Sequence, residues 1–585
     1  MVPPPRVAYF SMEIGLESGM PTYSGGLGVL AGDTIRSAAD LDVPMVAVSL
    51  LHRRGYFFQR VDTSGRQSEE PVAWPVNDFA KLIDEQATVD IEGRTVHVRA
   101  WRYCVMGESG HVVPVYLLDT DVSENQPWDR TLTDVLYGGD DHYRLCQEVV
   151  LGIGGLRLLR ALGYQDIRRF HMNEGHAALL VLALVEEKLV LQGQSESISA
   201  NLIETVREQC VFTTHTPVPA GHDQFSEELA RRVLGDHRWA RLKDCGIEQT
   251  LNLTQLALRG ARYVNGVAMK HGEVSHSMFP GYPIHSITNG VHVATWAASS
   301  FQKLFDTQLP GWRRDQLMLH YAIGIPTSDI WAAHVAAKRT LVEYVNQKSN
   351  AGFDRDVLTI GFARRFTGYK RAGLFFHDRE RLKKIVREAG PIQIVFAGKA
   401  HPRDHHGKDL IAHIHEMRDA LQGVITVSYL ANYDMDLGRM LCAGVDVWLN
   451  IPLPPMEASG TSGMKAAMNG VPSLSVLDGW WIEGHLEGVT GWSIGDRVEA
   501  CPDPASGMDA CHAAELYRKL EEKVLPCFYQ DREHFIEIMR HAIALNGAFF
   551  NTQRMVAQYL HNAYRLGQAP VQLSHGSTQN KPRLV

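Results

Sequence analysis

The sequence has no long apolar run. Its best stretches, Ala177–Val185 and Val149–Leu162, are bounded or broken by charged residues and fall short of the roughly 18 apolar residues of a membrane-spanning helix. Paired cysteines are missing too, because the eight cysteines are scattered singly without a CxxC motif. This spacing indicates neither a zinc site nor a disulfide framework. We therefore expect no membrane span, no metal site, and thiols that are reduced and mostly buried.

An excess of positive charge is also absent. The formal net charge is -8 and the sequence pI is near 6.4, which argues against a protein that mainly binds the phosphate backbone of nucleic acid. The first residues lead through three prolines into a strand-like segment, Val7–Phe10, without the apolar core of a signal peptide. The sequence thus predicts a cytoplasmic protein with neither a nucleic-acid nor a membrane partner.

What the sequence does contain is an alternation of short β-branched runs with longer amphipathic stretches, which is typical of α/β layering. A chain of 585 residues exceeds one hydrophobic core, so we expect at least two domains. Five units in the second half predict a doubly wound parallel sheet with its ligand site at the carboxyl ends of the strands. The predicted strands are Val357–Ala363, Ile392–Ala397, Val424–Tyr429, Val445–Leu449 and Pro472–Val476, with helices at Arg379–Glu388, Lys408–Leu421 and Asp434–Cys442 between them.

The first half shows the same alternation, with a strand predicted at Val43–Leu51 and a helix at Ala177–Leu191. Residues 299–328, which contain Pro310-Gly311 and Pro326, are interpreted as the connection between the halves. A helix at Trp331–Asn346 follows them. The last residues are polar and aperiodic, so we expect a flexible tail.

The segment Glu457–Lys465 carries the most chemistry. It follows a predicted strand and precedes an Ala-rich helical turn at Ala466–Asn469. Its small residues let a backbone approach a ligand closely, and N–H groups at a helix start favour an anion. Taken alone, the segment is either an anion loop followed by a lysine or a flexible surface turn with a solvated lysine. Spacing does not decide between these two interpretations.

A second cationic group, Arg364–Arg371, directly follows a strand of buried type. Arginine can hold phosphate oxygens with two parallel hydrogen bonds, and lysine supplies a compact charge. The alternative interpretation is again a solvated loop.

Together these segments resemble the glycogen and starch phosphorylase family: Glu457–Lys465 is similar to its pyridoxal-phosphate lysine motif, and Arg364–Arg371 to its phosphate-binding loop. Further matches occur in the family's order. They are Ser24–Gly28, Leu136–Asp141, Asn173–His176, Thr214–Thr216, Thr288–Gly290 and Ala397–Ala400.

The resemblance implies a short-form α-glucan phosphorylase of GT-B type, with two Rossmann-like α/β domains facing each other across a cleft. The ranges would be 1–310 for the domain on the glucan side, 311–565 for the domain that binds cofactor and phosphate, and 566–585 for the tail. The reaction would be reversible phosphorolysis of the non-reducing end of an α-1,4-glucan or maltodextrin, with inorganic phosphate and α-D-glucose 1-phosphate as partners and retention of configuration. In the family the phosphate of pyridoxal 5'-phosphate, rather than its ring, carries the chemistry. A homo-oligomer is compatible with the sequence, which does not fix the oligomeric state.

The resemblance also implies roles for single residues. Lys465 would bind the cofactor covalently, with Gly26, Arg364 and Thr461 around its phosphate and Tyr433 beside its ring. Arg365 and Lys370 would hold the substrate phosphate and, with Lys465 and His215, form the catalytic group. The glucosyl hydroxyls would be bound by Glu457, Ser459, Gly460, His215, Asn289 and Tyr369. The glucan would enter on the side of Asp140, Asp141 and His176.

Two positions depart from the family. Gly463 stands where much of the family has Asn, and Asp434 stands where the animal enzymes have Arg, which puts the contact to the cofactor ring in doubt. The Gly-rich loop comes so early in the chain that an unregulated form is expected, indifferent to adenine nucleotides. The histidine cluster His401, His405 and His406 is interpreted as surface or acceptor-side residues rather than as metal ligands. Trp480 and Trp481 are candidates for sugar stacking or for the core.

Two other functions stay open at this point. A nucleotide-sugar glucosyltransferase of the glycogen-synthase type shares the two-domain architecture and a Gly-Gly-Leu loop, although the segment Gly460–Lys465 favours a phosphorylase. A catalytically inactive carbohydrate-binding protein would keep the sugar contacts but would not need Arg365, Lys370 and Lys465 together. A glycoside hydrolase is not indicated, because it would need two carboxylates flanking the scissile bond.

Overall fold

The computed structural model describes residues 4–193, 198–218, 221–495 and 507–566. The predicted tail, residues 566–585, lies outside these ranges apart from Leu566. None of the helices within the described ranges combines the length and the hydropathy that a membrane span requires.

The N-terminal half alternates short strands and helices, as predicted. Its strands are β1 Val7–Ser11, β2 Met45–Leu50, β3 Phe58–Val61, β4 Gln67–Glu70, β5 Lys81–Leu82, β6 Ala87–Ile91, β7 Arg94–Met106, β8 Val112–Asp119, β9 Arg169–Asn173, β10 Cys210–Thr213, β11 Gln224–Ser226, β12 Thr250–Asn252, β13 Tyr263–Gly266 and β14 Ile284–Ser286. Its helices are α1 Gly26–Asp40, α2 Val76–Phe79, α3 Asp141–Val149, α4 Gly155–Ala161, α5 Leu179–Leu191, α6 Ala200–Arg207, α7 Glu227–Leu234, α8 Asp236–Asp244, α9 Leu253–Gly260, α10 Met269–Met278, α11 Val293–Trp296 and α12 Ser299–Gln308.

The C-terminal half continues the alternation. Its strands are β15 Leu358–Ala363, β16 Ile392–Ala397, β17 Thr426–Leu430, β18 Val447–Asn450, β19 Ser473–Val476 and β20 Gly491–Ile494. Its helices are α13 Thr327–Ser349, α14 Arg379–Ala389, α15 His405–Ala420, α16 Met435–Gly444, α17 Ser462–Ala467, α18 Trp481–Gly484, α19 Gly507–Lys519, α20 Leu525–Gln530, α21 Arg532–His541 and α22 Thr552–Gln558. All five strands predicted in this half are present, with ends shifted by at most two residues.

Each half builds its own doubly wound sheet. The first has the order β14-β13-β10-β9-β1-β2-β8-β7-β5, with β6 also paired to β7; it is parallel from β14 to β8, and β5, β6 and β7 add an antiparallel edge. The second, β17-β16-β15-β18-β19-β20, is parallel throughout. The chain reverses its winding direction beside β1 and beside β15, and such switch points create ligand crevices. The predicted α/β class with two Rossmann-like sheets is confirmed.

Both faces of the second sheet are buried, which explains the continuous apolar strands in the sequence. Side chains of a strand alternate between faces, so Ile394 and Phe396 of β16 enter one core. Their neighbours Val395 and Ala397 enter another core on the opposite face.

The chain crosses between the two sheets more than once. Residues 299–328 were expected to be a connection, but they form α12 and a 3-10 helix at Gln316–Gly324. Phe301 and Phe305, one helical turn apart, pack in the core of the second sheet. In the other direction, Met555 and Tyr559 return to the core of the first sheet. The domain ranges 1–310 and 311–565 stay a prediction.

The hairpin β3–β4 of the N-terminal half reaches the second sheet. The side-chain amide of Gln59 donates a hydrogen bond to the carbonyl of Gly398 at 3.1 Å. Gln67 donates to the carbonyl of Ala400 at 2.9 Å and accepts from its N–H at 3.0 Å. This hairpin therefore ties the two halves together beside the cleft.

Cysteine chemistry differs from the expectation at one position. Six described cysteines are free thiols, five of them buried and Cys104 exposed, whereas Cys511 is disulfide-bonded. The expectation of reduced thiols is wrong at Cys511, because a disulfide depends on spatial neighbours that spacing along the chain does not reveal.

Candidate functional site

The two motifs of the second half meet at the switch point of its sheet. Residues 364–371 follow β15, residues 451–461 follow β18, and these two strands are paired neighbours. Because parallel strands end at the same edge, the loops that follow them converge there. The predicted anion loop and the predicted cationic group are thus brought together.

A buried cluster of two cations and one carboxylate forms where these loops meet. Arg364 Nη2 lies 2.5 Å from Glu457 Oε2, and Lys370 Nζ binds the same oxygen. Burial by itself raises the pKa of Glu457, but Arg364 and Lys370 more than offset this and lower it to about 2. Arg364 Nη1 is buried without a hydrogen-bond partner. The Lys370 ammonium also lies 4.4 Å from the centre of the Tyr369 ring.

Arg371 holds the two loops in this arrangement. It has a positive φ of 53°, a conformation that non-glycine residues seldom adopt. Its buried guanidinium donates to the carbonyls of Ile451 and Pro452 at 2.9 and 2.7 Å. Between the loops, the N–H of Leu453 donates to the carbonyl of Tyr369 at 2.8 Å. The segment Arg364–Arg371 therefore contains both the cations of the site and the arginine that fixes the two loops to each other.

Asp478, after β19, was not singled out from the sequence. Its carboxylate accepts a hydrogen bond from the backbone N–H of Glu457 at 2.9 Å. Nearby, the backbone N–H of Trp480 donates to the carbonyl of Ser459 at 2.9 Å. Ser459 is buried, with its hydroxyl bonded to the carbonyl of Gly460 at 3.1 Å. Burial raises the pKa of Asp478 to about 6. An acidic residue directly after a buried strand was the signal that could have found it.

Lys465 lies inside α17, which begins at Ser462, so the prediction of a loop up to the lysine is wrong by one helical turn. Its ammonium is 3.6 Å from the centre of the Trp296 ring, and within the described part of the chain it has no hydrogen bond or ion pair. Burial lowers the pKa of Lys465, and Asp33 partly opposes that shift. Thr461 precedes the helix, and its hydroxyl does not cap it.

Both departures from the family have local structural reasons. A Cβ atom at Gly463 would lie 2.8 Å from a ring carbon of Trp480. In this chain the indole therefore occupies the space that the side chain of Asn would need. Asp434 caps α16 by accepting the N–H of Leu437 at 2.8 Å, a role suited to Asp but not to Arg. Tyr433, just before it, lies close enough to Arg364 for that charge to lower its pKa, although burial raises it overall.

The first sheet presents its own Gly-rich loop. Gly26 begins the 15-residue helix α1, and a Cβ atom built on Gly26 or on Gly25 would meet no atom within 4 Å. Glu13, after β1, accepts the N–H groups of Ser24 and Gly25 at 2.6 and 3.2 Å and the hydroxyl of Tyr137 at 2.9 Å. Sequence analysis missed Glu13, which fixes this loop so that a helix start faces open space.

His215 and Asn289 follow β10 and β14 at the same edge. His215 is held by the side chain of Asn173 at 2.7 Å and by its own N–H donated to Glu174 at 2.7 Å. Burial lowers the pKa of His215 to about 4, so the ring is neutral at pH 7. Glu174 has a positive φ of 75°, strain typical of functional positions. Asn289 is anchored through its carbonyl to Arg554 at 2.8 Å, and its side-chain oxygen is buried without a partner.

The residues predicted on the glucan side are less tightly organised. His176 Nε2 lies 3.3 Å from Asp223, which also binds Arg144 of α3 at 2.7 Å. Asp140 caps α3, and both Asp140 and Asp141 are exposed. The cap accounts for Asp140 structurally, so its contact with glucan stays a prediction.

Arg365, after β15, lies within electrostatic reach of groups in the first half of the chain. It is exposed to solvent and, in the described ranges, has no hydrogen bond or ion pair. The protein around the guanidinium keeps part of the water away from it, which by itself lowers the pKa of Arg365. Nearby groups, led by Tyr369 and Tyr56, more than offset this, so the pKa of Arg365 is raised overall. Tyr56 belongs to the first half, so the Arg365 charge acts on a group of that half, and no carboxylate of the described residues is bonded to the guanidinium.

Other candidate sites contribute less. In the ranges that the structure covers, no three His, Cys, Asp or Glu side chains converge as metal ligands, and His401, His405 and His406 form no such group. Trp480 and Trp481 are buried in the core. A cavity of about 590 Å³ at the edge of the first sheet is lined by residues such as Ile83, Arg99 and Asp121 and by none of the predicted site residues.

Comparison with known proteins adds independent evidence. The family described as Carbohydrate phosphorylase matches residues 222–488. A maltodextrin phosphorylase of Thermococcus litoralis is 39% identical over 597 residues, covering 95% of this chain and 70% of its own length. Glycogen phosphorylases of Mycobacterium tuberculosis and Aquifex aeolicus are 36% and 35% identical, covering 96% and 95% of this chain and 71% and 86% of their own lengths. These relatives do not favour the glycogen-synthase alternative. With these matches and the two facing sheets, the chain belongs to the carbohydrate phosphorylase family.

Proposed function

We propose that this protein is an α-glucan phosphorylase that transfers the terminal glucosyl unit of an α-1,4-glucan to inorganic phosphate and releases α-D-glucose 1-phosphate. The observation that carries the proposal is the cluster in which Arg364 and Lys370 converge on one buried carboxylate oxygen. A site that holds a carboxylate so firmly offers the charge and hydrogen-bond donors that phosphate requires.

The residues present fit pyridoxal 5'-phosphate. Lys465 offers a buried amine without a hydrogen-bond partner in the described ranges, and a depressed pKa favours the uncharged form that reacts with an aldehyde. The open helix start at Gly26 and the unpartnered Arg364 Nη1 suit a phosphate group. When bound, the cofactor would supply through its phosphate a proton partner for the substrate phosphate.

The protein's own residues would then do three things. Arg365 and Lys370 would bind the substrate phosphate and stabilise the negative charge on it in the transition state. Glu457, Ser459, Gly460, His215, Asn289 and Tyr369 would orient the glucosyl unit. His215 would act as a neutral hydrogen-bonding group, since its pKa is lowered to about 4.

The decisive experiment offers maltooligosaccharides of increasing length to the purified protein, loaded with pyridoxal phosphate, and measures glucose 1-phosphate with and without inorganic phosphate. We expect product only with phosphate. Sugar release without phosphate would indicate a hydrolase, and transfer from UDP-glucose alone would indicate a nucleotide-sugar enzyme; either result overturns the proposal.

A pair of arginine variants tests the site. Arg365→Ala should lower kcat/KM by about 100-fold or more, because it removes a preorganised charge. Arg381→Ala is the matched control, since Arg381 is a partly exposed arginine of α14 whose ion pair is with Glu521. Equal activity in both variants would contradict the role of Arg365.

A further inference from the structure

The Lys465 amine is held by an aromatic face rather than by an anion. Its nitrogen lies 3.6 Å from the centre of the Trp296 ring, well inside the range of a cation–π contact. Lys465 and Trp296 are both almost fully buried, with 6% and 1% of their surfaces exposed. A desolvated contact of this kind is stronger than one at the surface.

The N–H at the edge of this indole binds a buried carboxylate. Trp296 Nε1 donates a hydrogen bond to Asp33 Oδ2 at 2.7 Å, and the N–H of His292 donates to the same oxygen at 3.2 Å. Asp33 is completely buried, and its other oxygen accepts no hydrogen bond, with Arg36 3.5 Å away. An acceptor on the indole N–H makes the ring face more negative, which favours a cation on that face.

Asp33 is also the anion whose charge acts on Lys465. The other titratable group acting on the lysine is Cys442 of α16, and burial raises the pKa of that thiol to about 12, which leaves it neutral at pH 7. Among the described residues, the other ionisable groups beside Asp33 are Arg36 and the hydrogen-bonded pair of His292 and Asp40, whose side-chain atoms lie 2.9 Å apart. Lys465, Trp296 and Asp33 are therefore connected by successive contacts, from the amine to the indole face and from the indole N–H to a carboxylate.

We propose that Trp296 and Asp33 are positioning residues that hold the charged form of the Lys465 amine, the indole by its face and the carboxylate by its charge, and so set the pH at which the amine becomes available to the cofactor aldehyde. This inference rests on the proposed function. It assigns to α1 a second task besides presenting Gly26, because the same helix carries Asp33.

The test measures how fast the cofactor becomes attached to Lys465 as a function of pH. In that step the free amine bonds to the aldehyde carbon and one water is released; borohydride then reduces the new bond, and peptide mass spectrometry counts attachment at Lys465. Asp33→Asn should move the pH midpoint down by about one unit or more, because it removes the negative charge that raises the pKa of the Lys465 amine. The rate at pH 7 should rise accordingly.

Trp296→Phe keeps a ring face but loses the N–H, so it should move the midpoint in the same direction by a smaller amount. If Asp33→Asn does not fold, the Trp296→Phe variant still tests the proposal by itself. Trp312→Phe is the matched control, because Trp312 is equally buried and donates to Asp306 at 2.8 Å but has no lysine on its face. Its midpoint should equal that of the wild type.

The outcomes separate this inference from the function on which it rests. Attachment at Lys465 with the same midpoint in wild type, Asp33→Asn and Trp296→Phe overturns the positioning roles and leaves the proposed function standing. No attachment at Lys465 in the wild type refutes the cofactor site itself, and the positioning roles with it.

Discussion

Replacing Glu457 by Gln separates anion binding from catalysis in the cationic cluster. The change keeps the shape of the side chain but removes the charge that Arg364 and Lys370 share. Two buried cations then lack their counterion, so the free protein should lose stability. The same cations become available to a dissolved anion, so phosphate should bind more tightly even though turnover falls.

The size of the effect follows from the pKa of Glu457. It is lowered from an ordinary 4.5 to about 2, and each unit corresponds to about 1.4 kcal/mol. The ionised carboxylate is thus stabilised by about 3 kcal/mol after its burial is counted. Solvent screening weakens this stabilisation only slightly, because the side chains of Arg364, Lys370 and Glu457 are at most 10% exposed. We expect the free energy of unfolding to fall by about 3 kcal/mol at pH 7 and the phosphate affinity to rise about tenfold or more.

Denaturant unfolding and titration calorimetry at constant ionic strength measure both quantities. The stability difference should vanish as the pH falls from about 4.5 to 2, because a lowered pKa stabilises only the ionised form. Glu487→Gln is the control: the pKa of Glu487 is also lowered to about 2, but its partners are His485, Ser493 and Lys519. That variant should lose stability without any change in phosphate affinity. Unchanged phosphate affinity in Glu457→Gln would refute the assignment of this cluster as an anion site.

Two further predictions concern packing and pH. Gly463→Asn should destabilise the protein by about 1–3 kcal/mol through the clash with Trp480, and adding Trp480→Leu should recover part of that loss in denaturant unfolding; a loss unaffected by the second change would contradict the clash. Burial lowers the pKa of His52 to about 4, so the folded state keeps this ring neutral, and His52 should cost about 2–3 kcal/mol of stability as the pH falls from 7.5 to 4.5. His52→Gln should show a correspondingly smaller loss over that interval, and equal slopes for both proteins would show that His52 does not carry this pH dependence.

The sequence by itself determined the class of the fold. Five of the six strands of the second half were found to within two residues at each end, because a parallel strand buried on both faces has to be apolar throughout; the short strand β20 was not predicted. The helices between them follow from amphipathic periodicity. The cationic loop and the lysine segment stand out for a different reason. Charged and glycine-rich residues directly after buried strands seldom serve packing alone.

Only the tertiary structure decided which side chains meet. Arg364 and Glu457 are 93 residues apart, and their contact exists because β15 and β18 are neighbours in the sheet, an order that spacing along the chain does not specify. Asp478 and Glu13 were overlooked because a single carboxylate after a buried strand is a weak sequence signal, and the backbone N–H groups that each one binds are brought to it only by the fold. Trp296 comes from a segment interpreted as part of the other domain, yet its ring lies against Lys465. Local periodicity encodes local structure, whereas a site assembled from the ends of several strands depends on pairing and burial between distant parts of the chain.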